Sequence, residues 1–218
     1  EAKFAPEDVA GLSLYSLPDA VSLDDRQSKQ LVLFTALGVS AHRELAGDPL
    51  PANFGAQPFD PARNRDPAFN RPQSVLVLDN TAASAIALPP GVVRVFKRDR
   101  DGVSQLLGED RVGQKAKGEA WRIALGRDGD VGISRVQTSF VPARGAEGTF
   151  ESAWRITLSN AKKQAVTVLL RENIPAGARI VEESLVHQSI DALNAQWSIT
   201  IPAEGDAVLT YKAARTGG

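Results

Sequence analysis

The sequence predicts an all-β chain of antiparallel, sandwich-like sheets, its C-terminal third forming an immunoglobulin-like unit. Three observations predict it. In the stretch Glu151 to Glu172, Trp154, Ile156 and Leu158 alternate with Arg155, Thr157 and Ser159, and Val166, Val168 and Leu170 repeat the beat after Asn160-Ala161-Lys162-Lys163. Period-two alternation places one set of side chains on the dry face of a pleated strand, and two such runs around a polar break read as a β-hairpin. The same beat returns at Trp121-Arg122-Ile123-Ala124-Leu125 and at Trp197-Ser198-Ile199-Thr200-Ile201, which together use all three tryptophans. A tryptophan of this kind buries roughly 200 Å² and anchors a core. Finally, from Ser74 onward, apolar runs and turn-forming clusters succeed one another at the spacing of a sandwich or barrel.

Taken in order, Leu12-Ser13-Leu14-Tyr15 alternates as a short strand, stopped by Pro18. Leu31-Val32-Leu33-Phe34 is a continuous apolar run of the sort found in a strand buried on both faces, and Val39 to Leu45 reads as its partner. Segment 47–73 is different. Pro49, Pro51, Pro58, Pro61, Pro67 and Pro72 leave neither helix nor strand room to form, so it reads as a long loop. Phe54, Phe59 and Phe69 lie in it, and composition-driven disorder normally lacks aromatic rings. The loop is therefore docked on the sheet by those rings, mobile, or a binding lid, and the three phenylalanines are the candidate binding residues.

Val75 to Leu78 is a strand ending at Asp79-Asn80. Val92 to Lys97 turns at Asp99-Arg100-Asp101-Gly102 into Val103 to Leu107, and Trp121 to Leu125 turns at 126–130 into Val131 to Val141. The run Pro142 to Gly148 is the candidate boundary between an N-terminal β domain, 1–142, and a C-terminal immunoglobulin-like domain, 149–218. Beyond the central hairpin come a strand near Arg179 to Glu183, irregular strand and loop over Ser184 to Asn194, and a closing hairpin. That hairpin pairs Trp197 to Ile201 with Ala207, Leu209 and Tyr211.

Composition narrows the function. With 218 residues the chain can bury roughly 70% of its unfolded surface, so no metal or disulfide staple is required. The 25 basic and 26 acidic residues nearly cancel and show no clustered basic run, which speaks against a nucleic-acid partner. Cysteine is absent, which excludes disulfides and thiolate chemistry. No window is long and apolar enough to span a bilayer, and no signal peptide is recognisable. Position 1 is not methionine, so a processed chain or a fragment of a longer one is expected.

No catalytic constellation assembles in the sequence. Asp99-Arg100-Asp101-Gly102 and Asp128-Gly129-Asp130 put carboxylates beside glycine, as calcium loops do, but also as hairpin turns do. Glu109-Asp110 and Glu182-Glu183 are neighbours on strands, so their carboxyls point to opposite faces and do not bracket a glycosidic bond. His42 and His187 lack zinc-motif spacing, no nucleophile elbow accompanies them, and no glycine-rich phosphate loop is present. The expectation is a non-enzyme without metal or cofactor.

Leu14-Tyr15-Ser16-Leu17 followed by Leu23 to Gln30 resembles the opening of a bacterial family known as domain of unknown function 4139, DUF4139. The likeness continues through Asp79-Asn80-Thr81, Leu88 to Phe96, Leu107 to Asp110, Gly118-Glu119, the Ser159 to Lys162 turn and Leu209-Thr210-Tyr211. Two departures concern loops: Ala116-Lys117 stands where the family favours Thr-Pro, and Arg127 to Asp130 where Phe-Asp is common. The resemblance implies the C-terminal portion of an exported envelope protein, periplasmic or in the outer envelope, and transfers no activity. The expected function is a non-catalytic envelope module that binds or scaffolds another protein or the N-terminal region of its own protein. The alternative is a carbohydrate-binding or carbohydrate-cleaving domain with an exposed tryptophan and a cross-strand carboxylate pair.

Overall fold

A computed structural model describes residues 7–10, 12–16, 20–32, 35–48, 68–79, 89–116, 118–142 and 149–215. These are all-β and contain no helix, in agreement with the expected fold class. The chain divides into two compact units, Glu1–Arg43 with Leu76–Leu125 and Glu44–Val75 with Gly126–Gly218.

In the first unit, β1 (Glu7–Val9) pairs antiparallel with β2 (Leu12–Leu14). The chain next enters β3 (Ala41–Gly47), which runs on into the second unit. Two further strands of the second unit's span follow, β4 (Ala68–Asn70) and β5 (Gln73–Leu78), the latter ending back in the first unit. β6 (Gly91–Arg98) and β7 (Ser104–Val112) form a hairpin with a bulge at Val95/Phe96. Its turn is held by Asp99, whose Oδ1 accepts from the Asp101 and Val103 amides at 3.0 and 2.9 Å. Then comes β8 (Trp121–Arg127). A Cβ on Gly108 would sit 2.8 Å from the Leu125 Cα, so only glycine allows that approach.

The second unit holds the main core. Its strands are β9 (Val131–Pro142), β10 (Phe150–Asn160), β11 (Val166–Asn173), β12 (Ala178–Glu183), β13 (Gln188–Ser189), β14 (Asn194–Ile201) and β15 (Gly205–Arg215). One sheet has the order β12-β15-β10-β9-β4 and the other β13-β14-β11-β3-β5-β8. Inward residues alternate as the sequence requires. Ile156 and Leu158 of β10 and Leu209 and Ala213 of β15 meet Val168 and Leu170 of β11 and Trp197, Ile199 and Ile201 of β14 in one buried cluster. Fully burying an aliphatic side chain of this size stabilises the fold by about 1.5–3 kcal/mol.

Several expectations are corrected. The stretch 151–172 is not a hairpin: β10 pairs with β9 and β15, while β11 pairs with β14 and, in parallel, with β3. The closing pair differs in the same way, β14 belonging to one sheet and β15 to the other. Both breaks are crossovers between sheets. Alternation fixes which face is dry, and a hairpin and a crossover share that pattern. The expected boundary at 142–149 lies inside the second unit, because β9 and β10 pair from Pro142↔Phe150 to Val131↔Asn160. A glycine-rich break between strands serves a hairpin as well as a linker. The C-terminal third does not form its sheets alone either, since β3, β4 and β9 contribute to them.

Leu31 and Val32 belong to no strand and are exposed; Leu33 and Phe34 lie outside the described residues. A continuous apolar run carries no periodicity, so it offers weaker evidence for a strand than alternation does. The long loop is shorter than 47–73, because β3 keeps Gly47 and β4 and β5 begin at Ala68 and Gln73. Ser184 to Asn194 is irregular with one two-residue strand, as expected.

Candidate functional site

Three polar side chains interrupt the dry face of the second unit. Arg135 continues the inward parity of Val131 and Ile133 on β9, Glu172 that of Val168 and Leu170 on β11, and Tyr211 that of Ala207 and Leu209 on β15. Two strands belong to one sheet and the third to the other, so the groups converge from opposite sides of the core. Arg135 Nη2 lies 2.5 Å from Glu172 Oε2 and donates to the Tyr211 hydroxyl at 2.8 Å. That hydroxyl donates in turn to Glu172 Oε2 at 3.0 Å, closing a ring of three. The guanidinium lies 3.8 Å from the centroid of the Trp154 ring, a cation–π contact strengthened by desolvation.

Burial pushes the Glu172 carboxyl above its ordinary value, and the Arg135 charge and the two hydrogen bonds draw it part of the way back. Burial, reinforced by the charge on Glu172, pushes the Tyr211 hydroxyl far up, so it remains a proton donor. With 5%, 2% and 2% of their surfaces open, Arg135, Glu172 and Tyr211 are almost wholly enclosed. Chemically, the arrangement is a polar clamp between two sheets.

The cluster extends toward the rim. Trp197 stacks on Tyr211 with ring centroids 5.3 Å apart, and its indole N–H donates to Glu183 Oε2 and to the Leu185 carbonyl, each at 3.0 Å. Glu183 also meets His187 Nδ1 at 3.0 Å. A cleft of about 370 Å³ is bordered by Ala153, Trp154, Arg155, Glu182, Tyr211 and Lys212. Lys212 Nζ is 2.5 Å from Glu182, and that partner holds the ammonium above its ordinary pKa.

No protein-family model matches the chain, and neither curated proteins nor solved structures provide a match.

Of the three candidate phenylalanines, Phe54 and Phe59 lie outside the described residues. Phe69 sits on β4, the last strand of its sheet among the described residues, and is 58% exposed. Its ring rests over Gly132, where a Cβ would come within 2.9 Å of Phe69 Cε2, and Arg71 lies 5.7 Å from the ring centroid. Trp154 and Trp197 are buried; Trp121, in the first unit, is only partly so.

The aspartate turns are satisfied internally. Asp128 and Asp130 face the Lys162 ammonium at 2.9 and 3.4 Å, and Asp128 Oδ1 also accepts from the Asp130 amide. Glu109 pairs with Arg94 at 2.6 Å, while Asp110 accepts from the Ala124 amide at 2.8 Å. No group of three or more metal-ligating side chains comes together among the described residues. Nor is any described helix long and apolar enough to cross a membrane. Sequence reasoning missed the Arg135–Glu172–Tyr211 clamp. Its signal was present: ionisable residues standing at apolar parity in otherwise dry strands.

Proposed function

We propose that the chain is a non-catalytic module of the cell envelope that binds or scaffolds another protein, or the N-terminal region of its own longer protein. The observation that carries this reading is Phe69, an exposed aromatic ring on the last strand of its sheet among the described residues. A sheet edge can accept an added strand, and a neighbouring ring supplies the apolar anchor that selects the partner. The ionisable groups at the core of the second unit point the same way, since they close on one another and present no reactive atom. The envelope location rests on the DUF4139-like residues, from Leu14-Tyr15-Ser16-Leu17 to Leu209-Thr210-Tyr211. The carbohydrate alternative is weakened by the burial of Trp154 and Trp197, which removes two stacking platforms.

Two variants test the proposal, Phe69→Asp and deletion of Pro51 to Pro67. Calorimetric titration against the N-terminal region of the same reading frame, and pull-down from an envelope extract, should both lose binding. Unchanged binding in each assay would remove this edge from the account. Glycan-array binding or glycan hydrolysis by the unmodified chain would favour the alternative instead.

A further inference from the structure

At the opposite side of the five-stranded sheet, β12 is the last strand among the described residues, so one side of its backbone has no strand partner there. Its register against β15 slips between Ile180 and Glu182, leaving Val181 as the extra residue of a bulge. That bulge changes the facing of the strand. Arg179 lies opposite Ala214 and Glu182 opposite Lys212, both on the outer face, whereas three residues apart on a regular strand they would face opposite ways. Arg179 makes no ion pair among the described residues, and the Glu182 side chain, paired with Lys212, stays 65% exposed. Val181 is 48% exposed, and Val186, just beyond the strand, is 89% exposed.

The segment is self-complementary. Antiparallel pairing about a two-fold axis between Ile180 and Val181 sets Arg179 opposite Glu182 of a second copy, and Glu182 opposite that copy's Arg179. Directly opposed unlike charges favour pairing, and symmetry supplies the contact twice. Because the bulge puts both charges on one face, the two sheets continue into each other with their dry faces on the same side. We propose that the chain forms a symmetric dimer by antiparallel pairing of β12 with β12 of a second copy. This edge is distinct from the one bearing Phe69, so the dimer stands or falls independently of the binding function proposed above. Lone charges on an edge strand ordinarily discourage such pairing. Here they alternate in sign about the dyad and match.

Sedimentation velocity of the whole chain over a range of concentrations should show a species of twice the monomer mass. Arg179→Glu opposes two glutamates at both symmetry-related places, and Glu182→Arg opposes two arginines. Each should weaken association about tenfold or more, and the double variant, which restores unlike charges, should recover it. Amide exchange at 179–183 in the unmodified chain should slow as concentration rises, a readout that depends on no variant folding. A chain monomeric at every concentration overturns the proposal. So does a dimer indifferent to the single reversals, a double variant that stays dissociated, or exchange at 179–183 that ignores concentration.

Discussion

Arg135 reaches Glu172 from the facing sheet at 2.5 Å, with 3% of each side chain open to solvent. A charge buried this deeply is tolerable only while its counter-charge is present. Arg135→Met or Glu172→Leu alone should therefore cost about 3–5 kcal/mol. Making both changes should cost clearly less than the sum, because no orphan charge remains. Urea unfolding of the four proteins measures this, and strictly additive losses would show that the pair is not coupled.

The same carboxyl sets a pH dependence. Burial raises the Glu172 pKa in the folded chain above its unfolded value. Between those two values the folded chain holds a proton that the unfolded chain has released. The stabilising contribution is then complete below the unfolded value of about 4.3 and declines as pH rises through the raised folded value. Relative to Glu172→Gln, the unmodified chain should lose stability on going from mildly acidic to neutral pH. Parallel stability profiles for the two proteins would contradict this.

Asn160 ties three breaks between strands together. Its Nδ2 donates to the carbonyls of Gln164 and Pro202, each at 2.9 Å, and its Oδ1 accepts from the Lys162 amide at 3.0 Å. Lys162 then meets Asp128 and Asp130, and its carbonyl accepts from the Glu204 amide at 2.9 Å. Asn160→Ala would remove all three of these bonds, leaving the Gln164 and Pro202 carbonyls and the Lys162 amide without their side-chain partner, and should destabilise by roughly 2–4 kcal/mol. Lys162→Met, at a more open position, should cost less. Denaturation midpoints of the two variants give the order, and the reverse order would refute the central role of Asn160.

The tryptophans should divide by accessibility. Trp154 and Trp197 are 7% and 1% exposed, whereas Trp121 is partly open. Iodide should quench one fraction of the emission, and Trp121→Phe should remove that fraction. Quenching that survives the substitution would place one of the other two rings at the surface.

Much of the architecture was legible in the residues. Phe150, Trp154, Ile156 and Leu158 keep strict parity along β10, and each inward member is buried. The turn at Asp99 to Gly102 was equally plain, since an aspartate that accepts two backbone amides and a glycine with positive φ leave few alternatives. The clamp was harder to see. Glu172 and Tyr211 each look like the end of an apolar run, and nothing local announces that Arg135, on a third strand, completes the set.

The sequence by itself determined that the chain is built of extended segments and, where apolar and polar residues alternate, which side of the strand is dry, because these depend on neighbours one to four residues away. Only the tertiary structure decided that β10 and β11 lie in different sheets, that β9 continues into the sheet of β10, and that Arg135, Glu172 and Tyr211 meet. The reason is physical. An inward-facing strand satisfies its apolar side chains against any partner that completes the core, and its backbone bonds equally well to several neighbours, so the choice among them belongs to the packing of the whole unit.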